Sequence, residues 1–334
     1  MREAQNPGSE SLEHFQARLF SADGPDQGVD FENLASIAVD DNRLLWIDLC
    51  GPGCTLLPDI ARAVGLDEAA LSGWNEGTNP ALGKWDRSFW LRVVAINEQG
   101  DHEDVRGTVL TLIGSPNIVI SLHDRPLAFI EEFRAREEGG SMVGVLSAES
   151  FVASLLDWQL STYFDAVAAF ELEVERLEIK ILDEKSGACL PQLRRLRRWA
   201  SRLRRMLVPH RVVYAALARP DFLPEATGNS SRHFEALDNR FERAMDMIEN
   251  ARELVLGSFS LFSSQTALQT NDFMRMLTFV TVITGALATL VGALGMNFDA
   301  AFFQTKDVGF WVSVTLLGGL TALAILLARW KKWF

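Results

Sequence analysis

Cysteine is scarce in this 334-residue chain: Cys50, Cys54 and Cys189 are the whole supply. Three thiols exclude a disulfide scaffold and fit a reduced compartment. Cys50 and Cys54, in Cys-Gly-Pro-Gly-Cys, resemble half of a metal clip, but no second ligand pair follows and a zinc site normally takes four ligands. Histidine is thin as well. His14, His102, His123, His210 and His233 are scattered, and no Walker-type loop is present to bind ATP. Asp101-His102-Glu103-Asp104 has ligand-like chemistry, but it stands where a polar hairpin turn is expected. No enzyme activity and no cofactor are therefore expected. Positive charge is in deficit too, 32 Lys and Arg against 44 Asp and Glu, a net charge of −12 that disfavours a nucleic-acid partner. The polar start, Asn6-Pro7-Gly8-Ser9-Glu10, lacks a basic region followed by an apolar core, so a cleavable signal is not expected.

Long apolar runs are what the chain does have, and both lie near its end. Met276 to Leu294 and Val308 to Ala328 are each about 20 residues, the length that crosses a hydrocarbon core of roughly 30 Å. Gly295-Met296-Asn297 closes the first run and opens a short loop. The expected fold class is α+β: a cytoplasmic α/β domain with a long helical stalk and a C-terminal two-helix transmembrane hairpin. The expected division is 1–145 for the α/β domain, 146–230 for an acidic and basic helical hairpin, and 231–272 for the stalk. The first span follows over 273–294, an external loop over 295–307, the second span over 308–328 and a basic tail over 329–334. Arg329, Lys331 and Lys332 flank the second span, whereas the loop sets only Lys306 against Asp299 and Asp307. The positive-inside bias then places both termini in the cytoplasm and the loop outside. Phe302, Phe303, Phe310 and Trp311 mark one interface, and Trp330, Trp333 and Phe334 the other.

Upstream, Leu44 to Leu49, Phe89 to Ile96, Val105 to Ile113 and Ile118 to Leu122 read as strands. Asn97 to Asp101 and Gly114 to Asn117 read as hairpin connections, and Leu56 to Val64 and Asp67 to Trp74 as short helices. From about residue 147 the period becomes helical. Tyr163, Val167, Phe170, Val174, Leu177 and Ile181 form one stripe, and Leu193, Leu196, Trp199, Leu203, Met206, His210, Val213 and Leu217 a second. Between them Asp183 to Gly187 breaks the pattern, and Pro191 suits a first helical turn. The first helix carries Glu171, Glu173, Glu175, Glu178, Asp183 and Glu184 on its outer faces; the second carries eight arginines from Arg194 to Arg211. An antiparallel hairpin would set these faces side by side. No proline follows Pro224, so one helix is expected from about Ser231 to Leu294, roughly 95 Å long and stiff enough to relay a change toward the membrane.

The stretch from Asn271 to Phe298, NDFMRMLTFVTVITGALATLVGALGMNF, carries a family resemblance. Asn271, Met274, Arg275, Leu277-Thr278, Gly292 and Gly295-Met296-Asn297-Phe298 are similar, in register, to the signature of the CorA family of divalent-cation channels and transporters. Three features depart from that pattern: Ala286 where the family often has proline, Leu294 where an aromatic precedes the motif, and Asp299 to Asp307 in place of a Met-Pro-Glu-Leu loop. Arg204 to Tyr214 (RRMLVPHRVVY) is similar to a segment found in both the CorA and the ZntB branches. The resemblance implies transport of Mg²⁺, with Co²⁺ or Ni²⁺ as further candidates. It also implies a homopentamer in the inner (plasma) membrane, with lipid and copies of itself as partners. A ZntB-like Zn²⁺ transporter is the rival within the class. A membrane-anchored oligomeric sensor without transport is the rival outside it.

A single two-span hairpin encloses no water-filled path, so transport requires several copies. Thr278, Thr281, Gly285, Ala288 and Gly292 recur at three- and four-residue spacing, a stripe that serves pore lining or close helix packing equally well. The resemblance favours pore lining. Asn271, Met274 and Leu277 extend the same face, and rings of Met274 and Leu277 would gate by dewetting. At the outer mouth Gly295, Met296 and Asn297 form the expected selectivity ring, with Asn297 as the metal-facing amide. Neutral amides suit a hydrated Mg²⁺, which gives up its waters reluctantly. Asp299 and Asp307 would draw cations toward the mouth, and Asp238 is a candidate regulatory carboxylate on the stalk.

Overall fold

The protein is described by a computed structural model. It covers residues 14–37, 39–40, 42–67, 71, 73–74, 77–97, 106–136, 143, 146–183, 189–222, 228–295 and 307–330. Two compact units emerge, one of Met1–Leu177 with Leu190–Gly257 and one of Glu178–Cys189 with Ser258–Phe334.

The first unit is built on a seven-stranded sheet. Its strands are β1 (Phe15–Ser21), β2 (Gln27–Gly28), β3 (Arg43–Cys50), β4 (Ala81–Trp85), β5 (Ser88–Asn97), β6 (Arg106–Ser115) and β7 (Ile118–His123). Their order is β2-β1-β3-β7-β6-β5-β4, with β3 and β7 parallel and every other pair antiparallel. Strands β3, β5, β6 and β7 stand where the apolar runs placed them. Strands β1, β2 and β4, short or polar at their ends, had no comparable signal. The β6–β7 hairpin turns through Pro116-Asn117, and Asn117 takes the left-handed conformation (φ 58°) that asparagine tolerates.

The centre of β3 is buried on both faces, as its unbroken run Leu44 to Leu49 requires. On one face Leu45, Ile47 and Leu49 join Ile113, Ile118 and Ile120 against Leu57, Ile60 and Ala61 of helix α1 (Leu57–Ala63). On the other, Trp46 meets Phe133 of α2 (Ala128–Arg136) and Phe151 of α3 (Ala148–Leu182), each edge to face at 5.6 Å. Half of the helix expected over Asp67 to Trp74 falls outside the described residues. Its described end is a turn instead, with Gly73 at φ 83° and its carbonyl bonded to the buried Arg92 (3.2 Å).

Helix α3 buries every member of its stripe from Tyr163 to Ile181. Helix α4 (Cys189–Leu207) follows, and Trp199 meets Phe170 edge to face at 5.3 Å. The second stripe does not continue as one helix to Leu217. Pro209 removes a backbone donor, a 3-10 turn forms over Val208–His210, and α5 (Arg211–Leu217) starts afresh. The two charged faces are not simply paired either. Arg195 lies 3.8 Å from Glu173, but Arg204 and Arg211 reach Glu249 (3.2 Å) and Glu242 (2.8 Å) of helix α6 (Gly228–Leu294). Glu178, expected on the outer face, accepts a 2.7 Å hydrogen bond from the fully buried Ser258.

The 3-10 turn has a structural purpose. Strand β4 pairs with β5 only as far as Arg92, leaving Val94 and Ile96 with an open backbone edge. Side chains close it. His210 Nε2 accepts from the Val94 amide (2.8 Å), Gln159 and Tyr163 donate to the Val94 carbonyl (2.6 and 3.0 Å), and Thr162 accepts from the Ile96 amide (3.0 Å). Tyr214 in turn donates to Gln159 (2.5 Å), and His210 Nδ1 donates to the Leu207 carbonyl (3.1 Å). His210 must therefore be neutral, and burial lowers its pKa to about 4.

A second buried cluster sits on the Trp46 face of the sheet. Asp48 accepts from Ser121 (2.5 Å), His123 Nε2 (3.1 Å) and Arg134 (2.8 Å). His123 Nδ1 donates to the Arg125 carbonyl (2.7 Å), so both ring nitrogens face acceptors. Burial opposes the imidazolium, but the Asp48 hydrogen bond and charge outweigh it and the His123 pKa is raised.

The two histidines give opposite pH signatures. The His210 contribution is full above the ordinary value of 6.5 and is lost as pH falls toward about 4. The His123 contribution is full below 6.5 and is lost as pH rises through its raised value. Thermal melts across pH should show His210→Ala less stable by about 2–3 kcal/mol at neutral pH, with a flatter acid limb. His123→Asn should flatten the alkaline limb instead, and an acid limb unchanged in His210→Ala would contradict the assignment.

Candidate permeation site

Helix α6 runs 67 residues without a break, and Gly257 does not interrupt it. Helix α7 (Asp307–Trp330) follows. Both contain stretches long and apolar enough to cross a membrane, and 0% of either stretch is buried within the chain. A soluble core hairpin would hide such surface, so these helices are made for another apolar medium. Phe310, Trp311 and Trp330, near the ends of α7, are 62%, 65% and 81% exposed, the placement of interfacial aromatics.

Asn271, Met274, Leu277, Thr278, Thr281, Gly285, Ala288 and Gly292 are all exposed residues of α6. At 100° per residue they share roughly one third of the helix circumference. The threonines on this stripe use their donors internally: Thr278 bonds the Met274 carbonyl (2.8 Å) and Thr281 the Leu277 carbonyl (2.7 Å). A hydroxyl tied back in this way costs little in an apolar setting and still presents oxygen lone pairs outward. Around Gly285 and Gly292 an added Cβ would meet nothing within 4 Å, so each opens a groove in the helix surface. Met274 and Leu277, 56% and 61% exposed, are two large apolar side chains at the start of the stripe.

Gly295 ends α6 with its amide on the Val291 carbonyl (2.9 Å). It is not among the positive-φ glycines, and an added Cβ would lie at ordinary distances of 3.5 and 3.6 Å. The chain by itself therefore does not demand glycine there. Met296, Asn297, Asp299, Lys331 and Lys332 lie outside the described residues. Asp307 opens α7, and Arg329 is exposed in its last turn.

The other sequence candidates, Cys50, Cys54 and Asp238, belong to the first unit. Cys54 donates weakly to the Leu49 and His123 carbonyls (3.5 and 3.8 Å), and burial, then the neighbouring Cys50, push its pKa up to about 11. Cys50 is raised in the same direction, by burial first and Asp48 next. Protonated thiols are poor metal ligands. Among the described residues no group of three or more His, Cys, Asp or Glu could hold a metal ion. Asp238 is half-buried on α6, with its pKa raised by burial and by Glu242 against the opposing charge of Arg211. His210 and Asp48 escaped the sequence reading of sites. The available signal was a polar residue at a core position, His210 in an apolar stripe and Asp48 inside LLWIDL.

Comparison with known proteins decides the family. The model of the family described as CorA-like Mg²⁺ transporter protein matches residues 41–331. The chain belongs to the CorA-like family. Members of this family are transporters or channels for divalent cations, not enzymes. The chain is similar to the cobalt/magnesium transport protein CorA of Methanocaldococcus jannaschii, 23% identical over 303 residues, 90% of this chain and 94% of that one. It is also similar to the divalent cation transporter CmaX of Pseudomonas aeruginosa, 28% identical over 77% of each chain. The complete structure of the M. jannaschii CorA magnesium transporter superposes with a TM-score of 0.72 at 21% identity, covering 96% of this chain and 98% of that one. The cytoplasmic domain of ZntB from Vibrio parahaemolyticus shares the fold at a TM-score of 0.56 and 14% identity, over 77% of this chain and 98% of that one.

Exposed apolar helices of a CorA-like chain should partition into lipid. Val282 and Leu316 are 64% and 62% exposed within the two spans. Arginine near mid-span costs about 3 kcal/mol of insertion, so Val282→Arg with Leu316→Arg should markedly reduce the fraction of chain that resists alkaline extraction from membranes. An unchanged fraction would count against membrane insertion.

Proposed function

We propose that several copies of this CorA-like chain surround one path for a divalent cation, with the α6 stripe as its wall. The observation that carries this reading is that stripe: small and weakly polar, with its threonine donors satisfied internally and its face uncovered by the chain's own residues. Mg²⁺ is the proposed cargo, with Co²⁺ and Ni²⁺ as alternates, in keeping with the cobalt/magnesium transport of the relatives. Five copies are the proposed number. A ring of Asn297 amides, supported by Gly295 and Met296, would bind the hydrated ion through its waters and avoid the cost of stripping them. Asp299 and Asp307 would raise the local cation concentration.

Inward of that ring, Thr278, Thr281, Gly285, Ala288 and Gly292 line the path, and Asn271, Met274 and Leu277 close it. Apolar rings at Met274 and Leu277 stop conduction by excluding water when the helices draw together. The proposed location is the inner (plasma) membrane, both termini cytoplasmic, with Arg329, Lys331 and Lys332 at the cytoplasmic interface. With that topology a potential of 100 mV, negative inside, favours inward movement of a divalent ion by about 4.6 kcal/mol.

A Zn²⁺ cargo, as in ZntB-like transport, is favoured by one set of observations: Ala286, Leu294 and the loop from Asp299 to Asp307 depart from the pattern of the Mg²⁺ branch. Flux into proteoliposomes loaded with metal-sensitive dyes separates the readings. Mg²⁺ entry should fall by about tenfold or more in Asn297→Ala, a loss of roughly 1.4 kcal/mol or more at the ring. Leu277→Gly should raise the resting flux, because one apolar ring is removed. Zn²⁺ entry without Mg²⁺ entry would transfer the assignment to the Zn²⁺ reading. No flux of any divalent cation would leave a membrane-anchored sensor.

A further inference from the structure

Six of the seven arginines of α4, all but Arg202, divide into two sets. Arg195 and Arg204 form ion pairs within the chain, to Glu173 and Glu249. Arg194, Arg197, Arg198 and Arg205 are exposed, and among the described residues none has a carboxylate partner. At 100° per residue these four guanidinium groups fall within an arc of roughly 100°, along about 16 Å of helix. On a chain with a net charge of −12 these four charges make a local positive patch, which complements an anionic surface.

A matching face exists on α3 of the same unit. Asp165, Glu171 and Glu175 are exposed there, and among the described residues none of the three is in an ion pair. They share an arc of roughly 120° along about 15 Å, close to the length of the arginine stripe. Leu172 stands between them, 47% exposed. We infer that the arginine face of α4 in one copy docks on the acidic face of α3 in the next copy, a head-to-tail contact between identical chains. Such a heterologous contact uses two different surfaces on every copy, so it can repeat from copy to copy, and copies sharing one membrane axis would close it into a ring. Leu172 would add apolar area at its centre. The inference rests on the proposal that several copies assemble, and it names the surface that holds their cytoplasmic parts together.

Charge reversal on the full-length chain in detergent tests it, with copy number followed by mass photometry on dilution. Reversing the basic face (Arg194→Glu, Arg197→Glu, Arg198→Glu, Arg205→Glu) or the acidic face (Asp165→Arg, Glu171→Arg, Glu175→Arg) should raise the dissociation midpoint by about tenfold in protein concentration. Both reversals in one chain should restore assembly to within about twofold of the parent. A milder variant with the same four arginines changed to Gln should fall between, and far-ultraviolet circular dichroism should match the parent throughout. Single reversals that assemble like the parent would overturn the contact. So would a combined reversal that fails to recover, which would assign the arginines to another anion such as a lipid headgroup. A parent with one copy per particle would instead overturn the multi-copy reading itself.

Discussion

In two helices of this chain no residue of the most apolar stretch is buried by the rest of the chain, and every other functional statement follows from that. In water such surface would drive aggregation. In a bilayer the cost disappears, because a helix satisfies its backbone internally and lipid covers the side chains. The helices must still choose which faces meet lipid and which meet each other. Exposed Val282, Val291, Leu316 and Leu323 are bulky and lipophilic, whereas the Thr278-to-Gly292 stripe is small and weakly polar. Helices in lipid associate through small residues and close approach. In the proposed assembly this stripe is the face on which copies meet, and water would occupy the space its small side chains leave.

The other unit meets a different constraint. Its sheet has an edge cut short, because β4 ends opposite Arg92 while β5 continues to Asn97. An open edge buried under helices would leave backbone groups unpaired. Four side chains from α3 and from the turn at Pro209 answer this, with His210 and Gln159 central. A side-chain network of this kind fixes how the helices lie on the sheet, since each member is satisfied only in one arrangement. The Asp48, His123 and Arg134 cluster ties α2 to the sheet in the same way.

Much of this was legible in the residues. Continuous β-branched and aromatic runs gave β3, β5, β6 and β7, and the 3.6-residue period gave α3 and the long α6. The edge strands were not legible, since Ala81 to Trp85 contains glycine and lysine and is half-buried at most. The break at Pro209 was overlooked because His210, Val213 and Leu217 kept the helical spacing across it. At the candidate site the residues of one helix face could be read from spacing alone. What spacing could not give was the internal bonding of Thr278 and Thr281, or which α4 arginines meet a carboxylate among the described residues. Both depend on which neighbours the folded chain supplies.

The central claim is that identical chains turn the small-residue face of α6 toward a shared axis. Cryo-electron microscopy of the full-length chain in lipid nanodiscs tests it most directly. The account predicts several copies per particle, with Thr278, Thr281 and Gly285 facing an axial water-filled path and Asn297 ringing its outer end. A particle holding one copy, or several copies with that stripe turned outward into lipid, would contradict it.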